Sequence, residues 1–131
     1  MLTARILLCI DDPARRSRWQ AAVGASSGLV VVGVSPADDS AVLAAAARRP
    51  DVIVVDSDRP GLEGAKLVGR LRSASPRVGV LAVAAPADRP RTVLARSLAA
   101  DRYVDPDVDV TGLIPRLLDF VSERPGGVVA S

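Results

Sequence analysis

The sequence contains no histidine, and this absence excludes several kinds of chemistry. A Ser-His-Asp triad, a Cys-His nucleophile pair and histidine-ligated metal sites cannot be built from this chain. Cys9 is the single cysteine and lies in an apolar run, so no disulfide can form within the chain and we expect a reducing compartment. Aromatic residues make up only 2%. The core therefore has to be built from Val, Leu, Ile and Ala, with Trp19, Tyr103 and Phe120 as its large members.

Long apolar segments and a strong charge excess are also missing. No run approaches the roughly 18 apolar residues of a membrane-spanning helix. The start, MLTARILLCIDD, does not resemble a signal peptide, because its apolar stretch is short and ends in two acids. The formal net charge is +2, from 17 basic and 15 acidic residues, which is too small an excess to predict nucleic-acid binding. A chain of 131 residues is long enough for one domain with its own core.

Apolar runs that suit buried strands alternate with helical patterns along the chain. Asp12-Pro13 and Ser35-Pro36 each place a capping residue before a proline, which predicts the start of a helix. Strands that are apolar throughout and separated by helices predict an α/β fold, a doubly wound parallel sheet of five βα units covered on both faces. The predicted strands are Ala4–Ile10, Gly28–Val34, Asp51–Val55, Val78–Ala84 and Arg102–Val104, and the predicted helices run from about Pro13 to Val23, Pro36 to Arg49, Glu63 to Ser73, Pro90 to Ala99 and Thr111 to Glu123.

Carboxylates follow two of these strands directly. Asp11 and Asp12 end the first strand, and Asp56 ends the third. In a flavodoxin-like strand order, 2-1-3-4-5, these strands are neighbours at the switch point where ligands bind. We therefore expect the three carboxylates to meet in one shallow cleft, where their repulsion costs free energy unless a cation screens them or one is protonated. Taken singly, each acid is also compatible with ordinary turn chemistry, and Asp12 with a helix cap.

A cation in this cleft would have chemical consequences. A site with oxygen ligands and room for water favours Mg²⁺. A carboxylate beside Mg²⁺ can act as a nucleophile toward a phosphoryl group, which gives an aspartyl phosphate.

Two runs, ILLCIDD and VVGVSPADDSAVLAAAARRPDVIVVDSDRPGLEG, resemble a response-regulator receiver domain, the phospho-accepting half of bacterial two-component signalling. The resemblance extends from Ala4 to about Glu123, and the second run is similar to receivers that usually precede a helix-turn-helix DNA-binding domain. It implies that Asp56 is the phosphoacceptor of a partner histidine kinase. It also implies a metal site whose ligands are Asp11, Asp12, Asp56 and the backbone carbonyl of Asp58.

The sequence departs from the family pattern at two switch positions. The end of strand four, where the family has Thr or Ser, has Ala84. The end of strand five, where the family has Lys before Pro, has Asp105 before Pro106. Lys66 is the only lysine and lies in the third predicted helix, too far to replace the missing one. The switch aromatic of the family is matched by Tyr103.

These losses leave the cleft without its usual cation and without a hydroxyl for a phosphoryl oxygen. Arg59, Arg89 and Arg102 are candidates for a replacement cation. The arginines of PARRSRWQ are interpreted as a solvated face of the first helix, with Trp19 turned toward the core.

The sequence therefore predicts an atypical, non-enzymatic cytoplasmic receiver over residues 1–123, followed by a tail or the start of a linker at 124–131. It is expected to bind Mg²⁺ weakly, to accept phosphate at Asp56 poorly or not at all, and to act through protein contacts. Its partners would be a histidine kinase or another signalling protein, with a homodimer through the fourth helix, fifth strand and fifth helix. Nucleic acid would be bound only through a separate domain.

Two alternatives stay open at this point. One is a fully phosphorylatable switch that controls an attached or separate DNA-binding output. The other is an enzyme on the same fold, either a small phosphatase or a flavin carrier. The phosphatase is disfavoured because Asp11 and Asp12 are adjacent, whereas such phosphatases have an Asp-x-Asp pair after strand one. The flavin carrier is disfavoured because carboxylates occupy the place of the phosphate-cradling loop that it would need after strand one.

Overall fold

The computed structural model describes residues 3–57, 62–89 and 100–123. Its core is a sheet of five parallel strands in the order β2-β1-β3-β4-β5. The predicted strand order and fold class are thereby confirmed. The strands are β1 (Ala4–Ile10), β2 (Leu29–Ser35), β3 (Val52–Asp56), β4 (Gly79–Val83) and β5 (Arg102–Val104), and the helices of the described residues are α1 (Pro13–Gly24), α2 (Asp39–Arg48), α3 (Leu62–Ala74) and α4 (Val110–Glu123), with a single 3₁₀ turn at Pro86–Asp88.

Successive residues of the central strands enter two different hydrophobic clusters, because side chains alternate between the faces of a sheet. In β1, Ile6, Leu8 and Ile10 belong to one cluster, whereas Leu7 and Cys9 belong to the other. This explains why β1 is a continuous apolar run and not an alternating one. The first cluster contains Trp19, Val23, Leu113, Leu117 and Phe120 from α1 and α4, and the second contains Ala41, Ala45, Leu67, Val68 and Leu71 from α2 and α3.

The helix starts follow the sequence signals at α1 but not at α2. Asp12 caps α1, with Pro13 in its first turn, as predicted. The prediction that Ser35-Pro36 opens the second helix is wrong, because Ser35 is the last residue of β2 and the cap of α2 is Asp38. The Asp38 side chain accepts a hydrogen bond from the amide of Ser40 at 2.8 Å.

The other boundaries of the described elements agree with the predictions to within one residue. Asp51 lies just before β3, where its side chain accepts a hydrogen bond from the Arg5 amide at 2.8 Å. At the start of α4, Asp109 accepts hydrogen bonds from the Thr111 hydroxyl at 2.7 Å and the Gly112 amide at 3.0 Å. Both hydrogen bonds lower the pKa of Asp109, and the one from Thr111 has the larger effect. The predicted helix at Pro90–Ala99 lies outside the described residues.

Arg5 secures the end of α2. Arg49 caps that helix in a left-handed conformation, with φ of 49°. This conformation is unfavourable for a residue with a Cβ atom. The Arg5 guanidinium donates hydrogen bonds to the carbonyls of Arg48 at 2.7 Å and Arg49 at 3.3 Å, and these bonds satisfy acceptors that a helix leaves unpaired at its end.

No helix within the described residues combines the length and the hydropathy needed to cross a membrane.

Because the core lies on both faces of the sheet, we expect two leucines to differ sharply in their contribution to the free energy of unfolding. Leu71 is fully buried between α3 and the sheet, whereas Leu43 on α2 is 73% exposed. We expect Leu71→Ala to lower the free energy of unfolding by about 2–5 kcal/mol, because it leaves a cavity. Leu43→Ala is the matched control and should change it by less than about 0.5 kcal/mol. Urea unfolding measures both, and equal effects would contradict the assigned packing.

The buried thiol of Cys9 predicts a loss of stability in alkali. Burial raises its pKa from 9.0 to about 12. The unfolded thiol therefore loses its proton first, and folding stability is complete below pH 9.0 and declines as the pH rises toward 12. Urea unfolding at several alkaline pH values should show a steeper decline for the wild type than for Cys9→Ala. Parallel declines would show that other groups cause the effect.

Candidate functional site

The central pairing of β1 with β3 brings the predicted acids to one rim of the sheet. Ile10 is the register partner of Asp56. One residue further, the amide of Asp11 donates a hydrogen bond to the carbonyl of Asp56 at 3.0 Å. Asp12 follows at once as the cap of α1. The rim is therefore where the sequence places it, at the carboxyl ends of the two middle strands.

Two of the three carboxylates hold backbone amides. Asp11 Oδ1 accepts a hydrogen bond from the amide of Ala37 at 2.8 Å, which ties the end of β1 to the segment between β2 and α2. The two Asp12 oxygens accept hydrogen bonds from the amides of Ala14 at 3.4 Å and Arg15 at 3.3 Å. Asp11 and Asp12 thus have structural partners within the rim.

The third carboxylate forms an ion pair that the sequence analysis missed. Arg15 Nη1 lies 2.7 Å from Asp56 Oδ2, and the two side chains are only 22% and 16% exposed. The other terminal nitrogen, Nη2, donates a hydrogen bond to the carbonyl of Pro106 at 2.6 Å. The guanidinium carbon also lies 5.2 Å from the centre of the Trp19 ring, within the range of a cation–π contact.

The interpretation of the first-helix arginines as a solvated face is therefore wrong for Arg15. Trp19 is buried, as expected. The predicted replacement cations, Arg59, Arg89 and Arg102, follow or lie in later strands, whereas the cation at Asp56 comes from α1. A usable signal was present: Arg15 is in the first turn of a helix that starts at the acidic rim, so its long side chain can reach back over that rim.

The donor chemistry of this rim suits Mg²⁺, but several of its carboxylate oxygens already have partners. Within residues 3–57, 62–89 and 100–123, no group of three acidic or thiol side chains is placed to hold a metal ion. Asp56 Oδ2 contacts a guanidinium, and both oxygens of Asp12 contact amides of α1. Asp58, whose carbonyl was predicted as a further ligand, lies outside the described residues.

One arginine joins Ala84 and Asp105, the two residues predicted to stand at the switch positions. Arg89 Nη2 lies 3.1 Å from Asp105 Oδ1, and its Nε donates a hydrogen bond to the carbonyl of Ala84 at 3.3 Å. Its guanidinium carbon lies 5.2 Å from the centre of the Tyr103 ring. The Tyr103 hydroxyl accepts a hydrogen bond from the amide of Ala100 at 3.3 Å. Asp105 therefore does not add an uncompensated negative charge.

Of the other two candidate cations, Arg102 pairs with Glu123 of α4, and Arg59 lies outside the described residues. Arg15 contacts Asp56, and Arg89 pairs with Asp105.

Comparison with known proteins agrees with this fold. The family model of the response regulator receiver domain matches residues 6–117. The transcriptional regulatory protein CseB of Streptomyces avermitilis is 34% identical over 112 residues, which cover 86% of this chain and 46% of that protein. The nitrate/nitrite response regulator NarL of Escherichia coli K12 is 29% identical over 116 residues, covering 87% of this chain and 53% of NarL. The chain thus spans about half the length of these curated relatives.

Solved structures show the same architecture. The signal receiver domain of the response regulator NarL from Mycobacterium tuberculosis superposes with a TM-score of 0.78 at 25% identity, over 95% of this chain and 100% of that domain. The response regulator domain of Thermotoga maritima CheB gives a TM-score of 0.74 at 20% identity, over 93% and 96% of the two chains.

The doubly wound sheet, with acids at the ends of its two middle strands, agrees with the match to the receiver-domain family model. The chain belongs to the response regulator receiver domain family. Domains of this family act in two-component signalling, interact with histidine kinases and other signalling proteins, and typically bind Mg²⁺.

The capping role of Asp12 gives a prediction that separates its hydrogen bonds from its charge. Asp12→Ala should lower the free energy of unfolding by about 1 kcal/mol, because two amides of α1 lose their acceptor. Asp12→Asn retains an oxygen acceptor and should stay within about 0.5 kcal/mol of the wild type. Urea unfolding of the two variants makes the comparison. An equal loss in both would assign the effect to the charge of Asp12 and not to capping.

Proposed function

We propose that this chain is an atypical receiver that acts mainly through protein contacts and accepts phosphate at Asp56 poorly or not at all. The observation that carries the proposal is the ion pair between Arg15 and Asp56, at 2.7 Å between Nη1 and Oδ2. A nucleophilic oxygen that already holds a guanidinium has to give up that contact, or share it, before it can attack. In this proposal the domain is not an enzyme.

The chemistry of phosphorylation shows what such a site lacks. An oxygen of Asp56 would attack the phosphorus of a phosphohistidine, forming a P–O bond while the P–N bond breaks and the imidazole leaves. The product is an acyl phosphate whose extra oxygens need partners. Ala84 offers no hydroxyl to them, and Arg89 is engaged with Asp105 and Tyr103.

The same features bear on the metal. In this proposal Mg²⁺ binds weakly, through Asp11, Asp12, Asp56 and the backbone carbonyl of Asp58. The Coulomb repulsion between a divalent ion and the Arg15 guanidinium opposes binding, and the hydrogen bonds of Asp11 and Asp12 have to be given up or shared.

The partner is a histidine kinase or another signalling protein, and the location is the cytoplasm, which agrees with a single, buried cysteine. Residues 1–123 form the receiver, and residues 124–131 form a tail or the start of a linker. A homodimer would use the predicted helix at Pro90–Ala99 together with β5 and α4. Nucleic acid would be contacted only through a separate domain.

A second candidate is a fully phosphorylatable receiver that controls a DNA-binding output. The observation that favours it is the similarity to CseB, a transcriptional regulatory protein, of which this chain spans 46%. A small phosphatase on the same fold is a third and weaker candidate.

Phosphorylation is tested by incubating the protein with acetyl phosphate and Mg²⁺ and measuring the intact mass. We expect less than about one tenth of the molecules to gain a phosphoryl group, because Asp56 is paired and the acyl phosphate lacks partners. A conventional receiver treated in parallel provides the positive control, and Asp56→Asn reports any addition elsewhere. Stoichiometric addition that Asp56→Asn abolishes would overturn the proposal in favour of the phosphorylatable switch.

A further inference from the structure

The Arg15 guanidinium connects three separate parts of the molecule. Arg15 belongs to α1, its Nη1 pairs with Asp56 at the end of β3, and its Nη2 donates to the carbonyl of Pro106, between β5 and α4. Trp19, one turn further along α1, lies 5.2 Å from the guanidinium carbon. A planar group with several donors suits such a multiple contact, whereas an ammonium group does not.

The surroundings strengthen this contact. The Arg15 and Asp56 side chains are 22% and 16% exposed, so solvent screens their attraction less than in a pair on the open surface. Arginine also keeps its charge at all relevant pH values. Arg15 therefore places a fixed positive charge at the rim.

A divalent ion at the same carboxylate would have to approach this fixed positive charge. Arg15 Nη1 is 2.7 Å from Asp56 Oδ2, a distance at which one oxygen is engaged by the guanidinium. Any metal bound to Asp56 would then lie within a few ångströms of the guanidinium, where the repulsion between the two cations is strong.

We infer that Arg15 is the resident cation of the Asp56 site: it neutralises the acceptor carboxylate, keeps divalent ions out and fastens the carboxylate to the segment between β5 and α4. The site is thus held in one state by a group of the chain itself. The inference rests on the geometry of Asp56 and does not require that Asp56 be phosphorylated.

The inference is tested by titration calorimetry, which measures the affinity of the wild type and of Arg15→Gln for Mn²⁺ and for Mg²⁺. Removing the fixed charge should tighten divalent binding at least about tenfold, because the repulsion at short range is lost. Arg18→Gln is the matched control: Arg18 is exposed on the same helix and the variant has the same net charge, so its affinity should equal that of the wild type. The double variant Arg15→Gln/Asp56→Asn should lose the gain, which assigns the ion to Asp56.

Arg15→Lys separates charge from bridging. Lysine keeps the positive charge, so divalent binding should stay as weak as in the wild type. Its single ammonium group spans Asp56 and Pro106 less well, so the amide of Val108, which donates to the Asp105 carbonyl at 3.0 Å, should exchange its hydrogen faster. Hydrogen exchange measures this, and circular dichroism confirms that each variant is folded.

Three results would overturn the inference. They are equal divalent affinity in the wild type and Arg15→Gln, an equal gain in Arg18→Gln, and a gain that persists in the double variant. If Arg15→Gln loses stability but keeps the wild-type affinity for divalent ions, the inference is also overturned, since a purely structural arginine would behave in that way. None of these results depends on whether acetyl phosphate modifies Asp56, so this inference and the proposed function can fail separately.

Discussion

The parallel pairing of β1 with β3 is the constraint on which the site depends. It sets Ile10 opposite Asp56 and brings the amide of Asp11 to the Asp56 carbonyl. Both strands are buried on both faces, so a shift of register would move every apolar side chain to the wrong cluster. The packing of the core thus fixes the positions of the acids at the rim. The chemistry at the rim depends on which side chains of the helices and connecting segments contact these acids.

What approaches them is arginine. Arg15 holds Asp56, and Arg89 holds Asp105. Each of these arginines also lies over an aromatic ring, Trp19 in one case and Tyr103 in the other. Two of the acids at this rim, Asp56 and Asp105, thus have counter-ions within the chain, whereas Asp11 and Asp12 accept hydrogen bonds from backbone amides.

The sequence was sufficient for the features that depend on local pattern. The buried strands, the cap at Asp12 and the strand order all follow from apolar runs, turn residues and the rules of parallel sheets. The sequence was insufficient where more than one residue could cap a helix or where a long side chain could contact any of several partners. The start of α2 was misplaced because Ser35 and Asp38 are both acceptable caps, and the extent of β2 decides between them. The place of Arg15 in the first turn of α1 indicates that its side chain can reach the rim, but not which partners it contacts, because Asp56 and Pro106 are distant in the chain and adjacent only after folding.

The contacts of Arg89 make position 105 dependent on position 89. Its guanidinium contacts the carboxylate at position 105, the carbonyl at position 84 and the ring at position 103. A lysine at position 105 would set two positive groups against each other and leave Arg89 without this counter-ion. The effects of substitutions at positions 89 and 105 are therefore not additive, and a basic residue at position 105 is better accommodated when position 89 changes with it.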